Sequence, residues 1–332
     1  MSITADQITI AITVYNRREY LHQAIRSALD QTVPVRVMVV EDCGPDPTLQ
    51  EFATKEFGSR VEYVRNARRR GLFGNWNSCI ERCQTRWLSI LHDDDYLDHG
   101  FVAAMIELGR QAGDRGLYWG QTIVVDDRDQ PKPEWVKPLW GTAWREVHFP
   151  DVLYRAPFSY PGQLFDTELA RSVGKFRETS LFCGDWELWS KLIAARGGAE
   201  TAATVATFRD HSGWDRGSNR IYRSGKTYGL MKVQLKRNLA LARKLGLPHR
   251  FDRDHELTRS CIPTRYLLHH ACGFSRMYLG YNTSLLCRSA PPHMGYATFQ
   301  LFARCFGPAF VRAASKIWNL SKGHSISCKS AM

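Results

Sequence analysis

The sequence predicts an α/β protein with a mostly parallel central sheet flanked by helices, followed by a basic, mainly helical segment. Three observations carry this. Short apolar runs alternate with stretches of helical periodicity from residue 8 to about residue 125, the order of a parallel sheet with crossover helices. Carboxylates stand directly after two of those runs, at Glu41-Asp42 and at Asp93-Asp94-Asp95, the position where open α/β sheets bind ligands. Charge is uneven: residues 1–220 hold 27 Lys+Arg against 30 Asp+Glu, whereas residues 221–332 hold 18 against 3.

Ile8, Ile10, Ile12 and Val14 alternate with smaller residues and stop at Tyr15-Asn16, as a strand does before a helix. Asn16 and Glu19 form an Asn-x-x-Glu capping pattern, and Leu21, Ala24, Ile25, Ala28 and Leu29 recur at helical spacing. Val35 to Val40 forms a second strand, closed by Glu41-Asp42-Cys43-Gly44-Pro45. The following helix is expected to be capped by Asp46, with Pro47 in its first turn. A strand near Val61–Val64, a helix over Phe73–Cys83 and a strand over Trp87–Leu91 come next, then a helix around Phe101–Gln111 and a strand around Leu117–Val125. Residues 126–162 are rich in Pro, Trp and charge, and an irregular excursion is expected there. Order returns with a strand at Gln163-Leu164-Phe165, a helix near Glu168–Ser172 and an amphipathic helix from Asp185 that carries Trp186, Trp189, Leu192 and Ile193. Past about residue 217 the pattern is basic and helical, with breaks at Gly246–Pro248 and Pro291–Pro292.

A chain of 332 residues with 44% hydrophobic and 12% aromatic content buries a large core, which excludes disorder as a description of the whole. The formal net charge of +12 belongs to the C-terminal third. Residues 221–332 therefore read as a basic segment that meets an anionic partner, a membrane surface before a glycan or nucleic acid. Within it, residues 297–318 set Phe299, Leu301, Phe302, Phe306, Phe310, Val311, Ile317 and Trp318 among Arg304, Arg312 and Lys316, a pattern for an interfacial helix or for one packed on the catalytic domain. Nine cysteines without a CxxC pair suit a reducing compartment better than a disulfide framework. The opening MSITADQITI lacks the layout of a signal peptide, and no run of about 18 uncharged apolar residues occurs. A cytoplasmic protein, peripheral at most to the membrane, is the expectation.

Three adjacent carboxylates on a strand-end loop repel one another, so Asp93, Asp94 and Asp95 read either as a loop that holds a cation or as an exposed acidic turn without a ligand. A hard divalent ion with oxygen ligands, Mg²⁺ or Mn²⁺ shared with a substrate diphosphate, suits such a loop. Asp42, beside Glu41, can accept hydrogen bonds from ribose or a base, or can simply close the turn into Gly44. Thr13, Tyr15 and Asn16 lie on the same rim if the sheet is parallel. In Gly184-Asp185-Trp186-Glu187-Leu188-Trp189, Asp185 is placed to cap a helix or to take a proton from an attacking hydroxyl, and the two roles are compatible. His211, in Arg209-Asp210-His211-Ser212-Gly213, is placed to complete a metal site or contact phosphate, or is structural.

Taken in order over roughly residues 6–220, these stretches resemble the family 2 glycosyltransferases of GT-A fold, a Rossmann-like architecture. Ile8–Asn16 with Ser27–Thr32 resembles the family's opening strand, its Tyr-Asn-Arg turn and the Ser-x-x-x-Gln-Thr end of the first helix. Val39-Val40-Glu41-Asp42 is similar to the nucleotide-contacting carboxylate motif, and Asn66 through Asn75-Trp76 to the segment beside the nucleotide sugar. Leu91-His92-Asp93-Asp94-Asp95-Tyr96 resembles the metal-binding DxD region, with His92 where many members have Asp. Phe182 to Trp189 resembles the Glu-Asp-x-Glu-Leu-Trp helix start, with Gly184 in place of Glu.

The resemblance implies Asp185 as catalytic base, and Thr13, Tyr15, Asn16, Glu41, Asp42, Asn75, Asp93 and Asp94 on the nucleotide sugar. Asp93, Asp94, Asp95 and His211 are expected around the metal. It implies a catalytic domain over 1–220, with a nucleotide-sugar half to about 125 and an acceptor half over 126–220. No Gln-x-x-Arg-Trp signature follows Asp185, so transfer of a single sugar by inversion is expected, onto a saccharide or a lipid-linked saccharide. Nucleotidyl transfer ranks lower because Thr13–Arg18 contains no glycine for a phosphate loop. A non-enzymatic basic binding module ranks lower too, since no nucleic-acid motif accompanies the charge.

Overall fold

A computed structural model of the chain describes residues 3–132, 141–153, 156, 160–180, 183–211 and 227–247. The chain divides into two compact units, Met1–Ser212 and Gly213–Met332. The first is built on a nine-stranded sheet in the order β3-β2-β1-β4-β8-β6-β9-β5, with β7 paired to β9. The strands are β1(Ile8–Val14), β2(Arg36–Glu41), β3(Glu62–Arg65), β4(Trp87–His92), β5(Tyr96–Leu97), β6(Leu117–Val125), β7(Trp144–Val147), β8(Gln163–Asp166) and β9(Gly198–Arg209). Seven helices belong to the described part of this unit: α1(Arg18–Leu29), α2(Leu49–Phe57), α3(Leu72–Arg82), α4(Phe101–Ala112), α5(Phe149–Val152), α6(Thr167–Ser172) and α7(Gly184–Arg196). In the second unit, α8(Thr227–Lys244) is described. The interfacial pattern at 297–318 lies outside the described residues, and no described helix is long and apolar enough to cross a membrane.

β1, β2, β3 and β4 pair in parallel, as the alternation of elements predicts. All seven residues of β1 are buried, the pattern of a strand covered by helices on both faces. Ile8, Ile10, Ile12, Leu21, Ile25, Val39, Leu49, Trp87, Phe101 and Met105 share one apolar core. At β8 the sheet turns antiparallel to both β4 and β6, while β6 and β9 run parallel. The register matters for the site: Val14 faces Glu41, Thr13 faces His92 and Glu41 faces Arg65. The carboxyl ends of β1, β2, β3 and β4 therefore finish level, and the loops that follow them share one rim.

The Ser-x-x-x-Gln-Thr ending of α1 is a tertiary staple. The Gln31 side chain donates to Ser27 O and Asp98 O at 2.8 Å and accepts the Val102 N–H at 2.9 Å, and Ser27 Oγ accepts the Leu97 N–H. This pins β5 and the start of α4 to α1.

Local capping differs from expectation. Arg17, not Asn16, precedes α1, and it makes no side-chain cap. Asp46 accepts from the N–H and hydroxyl of Thr48 and so shapes the turn that ends at Thr48, directly before α2 begins at Leu49. Cys183 precedes α7, which puts Asp185 inside the first turn. β9 escapes the sequence pattern because Gly198–Arg209 is rich in Ala and Thr and shows no clear apolar alternation. The excursion over 126–162 carries β7 and α5 among its described residues.

Candidate active site

The rim at the carboxyl ends of β1 and β2 is organised around two carboxylates with different duties. Glu41 is fully buried, and its carboxylate accepts the Gly44 N–H at 2.9 Å, the Tyr63 hydroxyl at 2.7 Å and the Arg65 guanidinium. Burial and this neighbour push the Tyr63 phenol up. Glu41 thus shapes the turn after β2. Gly44 packs so closely against β1 that a Cβ there would lie 1.7 Å from the Tyr15 carbonyl oxygen. Asp42 accepts the backbone N–H groups of Arg70 and Gly71 at 2.7 and 2.8 Å, which folds the 66–71 loop over the rim. Asn66 donates to Asn75 at 2.9 Å and Asn75 to Val40 O at 3.1 Å, so Asn75 ties α3 to β2. Thr13 is buried and donates to Leu91 O, Tyr15 is partly exposed under the Arg69 guanidinium at 4.3 Å, and Asn16 is exposed.

Asp93, Asp94 and Asp95 follow β4 and are surrounded by cations and donors. Arg17 pairs with Asp94 and lies 3.6 Å from Asp93. His211 bridges two carboxylates, Asp94 at 2.9 Å and Asp127 at 2.6 Å. Asp95 is almost fully buried and accepts the Arg209 N–H at 2.9 Å and faces His92 Nδ1 at 3.1 Å. The Arg209 guanidinium, itself buried, donates to Asp94 O and Gln23, pairs with Asp129 and lies against Tyr20. Burial pushes Asp95 up to about 8 and also raises Asp93, against the pull of Arg17.

His92, Asp94 and Asp95 each offer a ligand atom within 4.8 Å of the others. The carboxylate oxygens suit Mg²⁺ or Mn²⁺, whereas an imidazole nitrogen favours a later first-row ion. Nε2 of His92 is buried with no hydrogen-bond partner among the described residues. The residues fit a divalent cation. Asp93 and His211 stand next to this group through Arg17 and Asp94, while His92 joins it without having been marked by the sequence as a ligand.

Asp185 is attached to the same loop through an aromatic block. A Cβ on Gly184 would lie 2.6 Å from the Phe73 ring, so α7 starts directly on that ring. Phe73 meets Trp76 edge-on at 5.0 Å, Trp76 stacks on His92 at 5.0 Å, and His92 stacks on Tyr160 at 4.7 Å. Tyr160 continues the stack to Trp189 of α7 at 5.8 Å. Asp185 accepts the Trp186 N–H at 2.7 Å, and burial pushes its carboxyl up to about 6. Burial also drives the His92 imidazole down to about 4, with Asp185 among the charges it senses. A neutral imidazole, a poised carboxyl and a carboxylate loop thus share one aromatic wall. Arg17, His92, Tyr160 and Arg209 are the residues that sequence reasoning left without a role; Arg17 and Arg209 lay inside quoted motifs, but nothing local in the chain marks an ion pair or a stack.

Residues 9–130 match the family described as Glycosyl transferase family 2. The succinoglycan biosynthesis protein ExoO of Rhizobium meliloti is 33% identical over 123 residues, 37% of this chain and 33% of that protein. The putative teichuronic acid biosynthesis glycosyltransferase TuaG of Bacillus subtilis is 29% identical over 124 residues, 36% of this chain and 48% of that protein. The chain spans a third to a half of these relatives. Among solved structures, S. aureus TarS 1–349 in complex with UDP-GlcNAc superposes with a TM-score of 0.61 at 14% identity, covering 95% of this chain and 92% of that one. That likeness shows the shared GT-A fold.

Proposed function

We propose that this chain, whose residues 9–130 match the family 2 glycosyltransferases, transfers a single sugar from a nucleoside diphosphate sugar to an acceptor hydroxyl, with inversion, in the assembly of a cell-surface polysaccharide. The observation that carries the reading is the aromatic block from Gly184 through Phe73 and Trp76 to His92, which ties the Asp185 turn to the Asp93–Asp95 loop. Asp185 takes the acceptor proton as the acceptor oxygen bonds to the anomeric carbon. The bond from that carbon to the diphosphate breaks, and the nucleotide leaves with the electron pair. A carboxyl pushed up to about 6 is ionised at neutral pH yet more basic than an ordinary one, which suits a base.

Thr13, Tyr15, Asn16 and Asp42 take the nucleotide side. Glu41 and Asn75 act from behind them, Glu41 by holding the Gly44 turn and Asn75 by holding Asn66. Asp93, Asp94, Asp95, His211 and His92 would hold Mg²⁺ or Mn²⁺. When bound there, the ion supplies charge neutralisation for the departing diphosphate.

A panel of nucleotide sugars, beginning with UDP-GlcNAc, is screened with Mn²⁺ for thermal stabilisation and for sugar transfer or hydrolysis. One donor should raise the melting temperature and be turned over. Asp185→Asn should cut kcat by 10²-fold or more, about the share carried by general-base catalysis, while donor binding stays within about two-fold. Equal loss of donor binding and turnover would remove Asp185 from the base role.

A further inference from the structure

Three neighbouring carboxylates in a sheltered loop need neutralisation whether or not a metal is present. Two arginines approach the loop, and they differ in kind. Arg209 is about 1% exposed at its side chain and is locked to Asp94 O, Asp126 O, Gln23 and Asp129, so it is part of the framework. The Arg17 side chain is 29% exposed and meets Asp93 and Asp94. It stands one residue ahead of α1, outside helical backbone at φ −105° and ψ 75°, and makes no cap. Its guanidinium can leave the carboxylates without disturbing the helix.

A divalent ion placed at the Asp94 oxygen that Arg17 holds would meet the positive charge of the guanidinium at close range. We propose that Arg17 is a resident counter-cation of the acidic loop, neutralising Asp93 and Asp94 in the ligand-free chain and giving way when a divalent ion binds. The inference rests on the reading of this loop as a metal and diphosphate site. It makes the affinity for metal alone deliberately low, so that the loop is stable without an ion. It also frees a guanidinium beside the rim at the moment when a diphosphate, its next available anionic partner, arrives with the ion.

Binding of Mn²⁺ alone to the full chain is measured by titration calorimetry, with thermal melts at zero and saturating Mn²⁺. Arg17→Gln and Arg17→Ala should bind Mn²⁺ about ten-fold more tightly than the parent, as expected when a charge-assisted competitor is removed. They should melt lower without metal and regain the difference with it. Arg17→Lys keeps the charge and should stay near the parent. Arg18→Gln, which removes an equal charge beside Phe52 and Thr48, controls for long-range effects and should stay within about two-fold. Unchanged or weaker Mn²⁺ binding in Arg17→Gln, or no Mn²⁺ binding in any variant, overturns the proposal. Tighter binding without turnover of any nucleotide sugar would uphold the counter-cation and overturn the transferase reading instead, whereas turnover with metal affinity indifferent to Arg17 would do the reverse.

Discussion

Asp185 sits in the first turn of α7 with one backbone N–H as partner, and burial holds its carboxyl near 6 rather than in the usual carboxylate range. The sign of the pH effects follows. In the proposed base role it works when ionised, so kcat/KM should fall as pH drops through about 6 and level off above it. A carboxyl whose pKa is raised on folding contributes stability below its unfolded pKa and loses it as pH rises through the folded value. At pH 7.5 Asp185 therefore works against folding, and Asp185→Asn should melt at the same temperature as the parent or higher, a difference that shrinks towards pH 5. A lower melting temperature for Asp185→Asn at pH 7.5 would mean that the ionised carboxylate is a stabilising partner and not a poised base. Resemblance picked out Asp185 from its motif, but its environment comes from residues of α3, β4 and the loop at Tyr160, none of them near it in sequence.

At the scale of elements, α7 is aimed by its first residue. Family resemblance expects Glu where this chain has Gly184, and the Phe73 ring fills the space a side chain would need, with three ring atoms 2.6 to 2.9 Å from a Cβ built there. Gly184→Ala must push the ring or the helix start aside, at about 1–3 kcal/mol of stability. The stack from Phe73 to His92 moves with it, so turnover should fall more than donor binding. Adding Phe73→Leu should recover part of the melting temperature, giving a double variant less destabilised than the sum of the two singles. Additive losses would show that Gly184 and Phe73 do not press on each other. The elements themselves were largely legible: β1, β2, β4, β6 and α1, α3, α4 follow apolar periodicity that survives folding unchanged. β9 was not, because its Ala and Thr residues are recruited as strand by pairing with β6, β5 and β7 and not by local preference. The caps at Asn16, Asp46 and Asp185 also shifted, since each of these side chains or its neighbour is claimed by a turn or a tertiary contact.

For the molecule as a whole, charge separates along the chain, near neutral before residue 221 and strongly basic after it. If the basic segment meets an anionic bilayer, the full chain should float with vesicles containing phosphatidylglycerol at low salt and dissociate as the Debye length contracts to about 8 Å near 0.15 M. Removing residues 290–332 should reduce flotation several-fold, and equal flotation of both forms would place the binding elsewhere.

The sequence by itself determined the α/β class, the parallel start of the sheet, the places where carboxylates follow strands and the family they resemble, because apolar period and strand-end chemistry are local properties of the chain. Only the tertiary structure decided which carboxylates are engaged in turns and which face the rim. It also decided that Arg17 and His211 both engage Asp94, and that His92 joins Asp185 through an aromatic stack. Those outcomes depend on register and burial between residues many positions apart, and charge, pKa and steric room take their values from neighbours that the order of residues does not name.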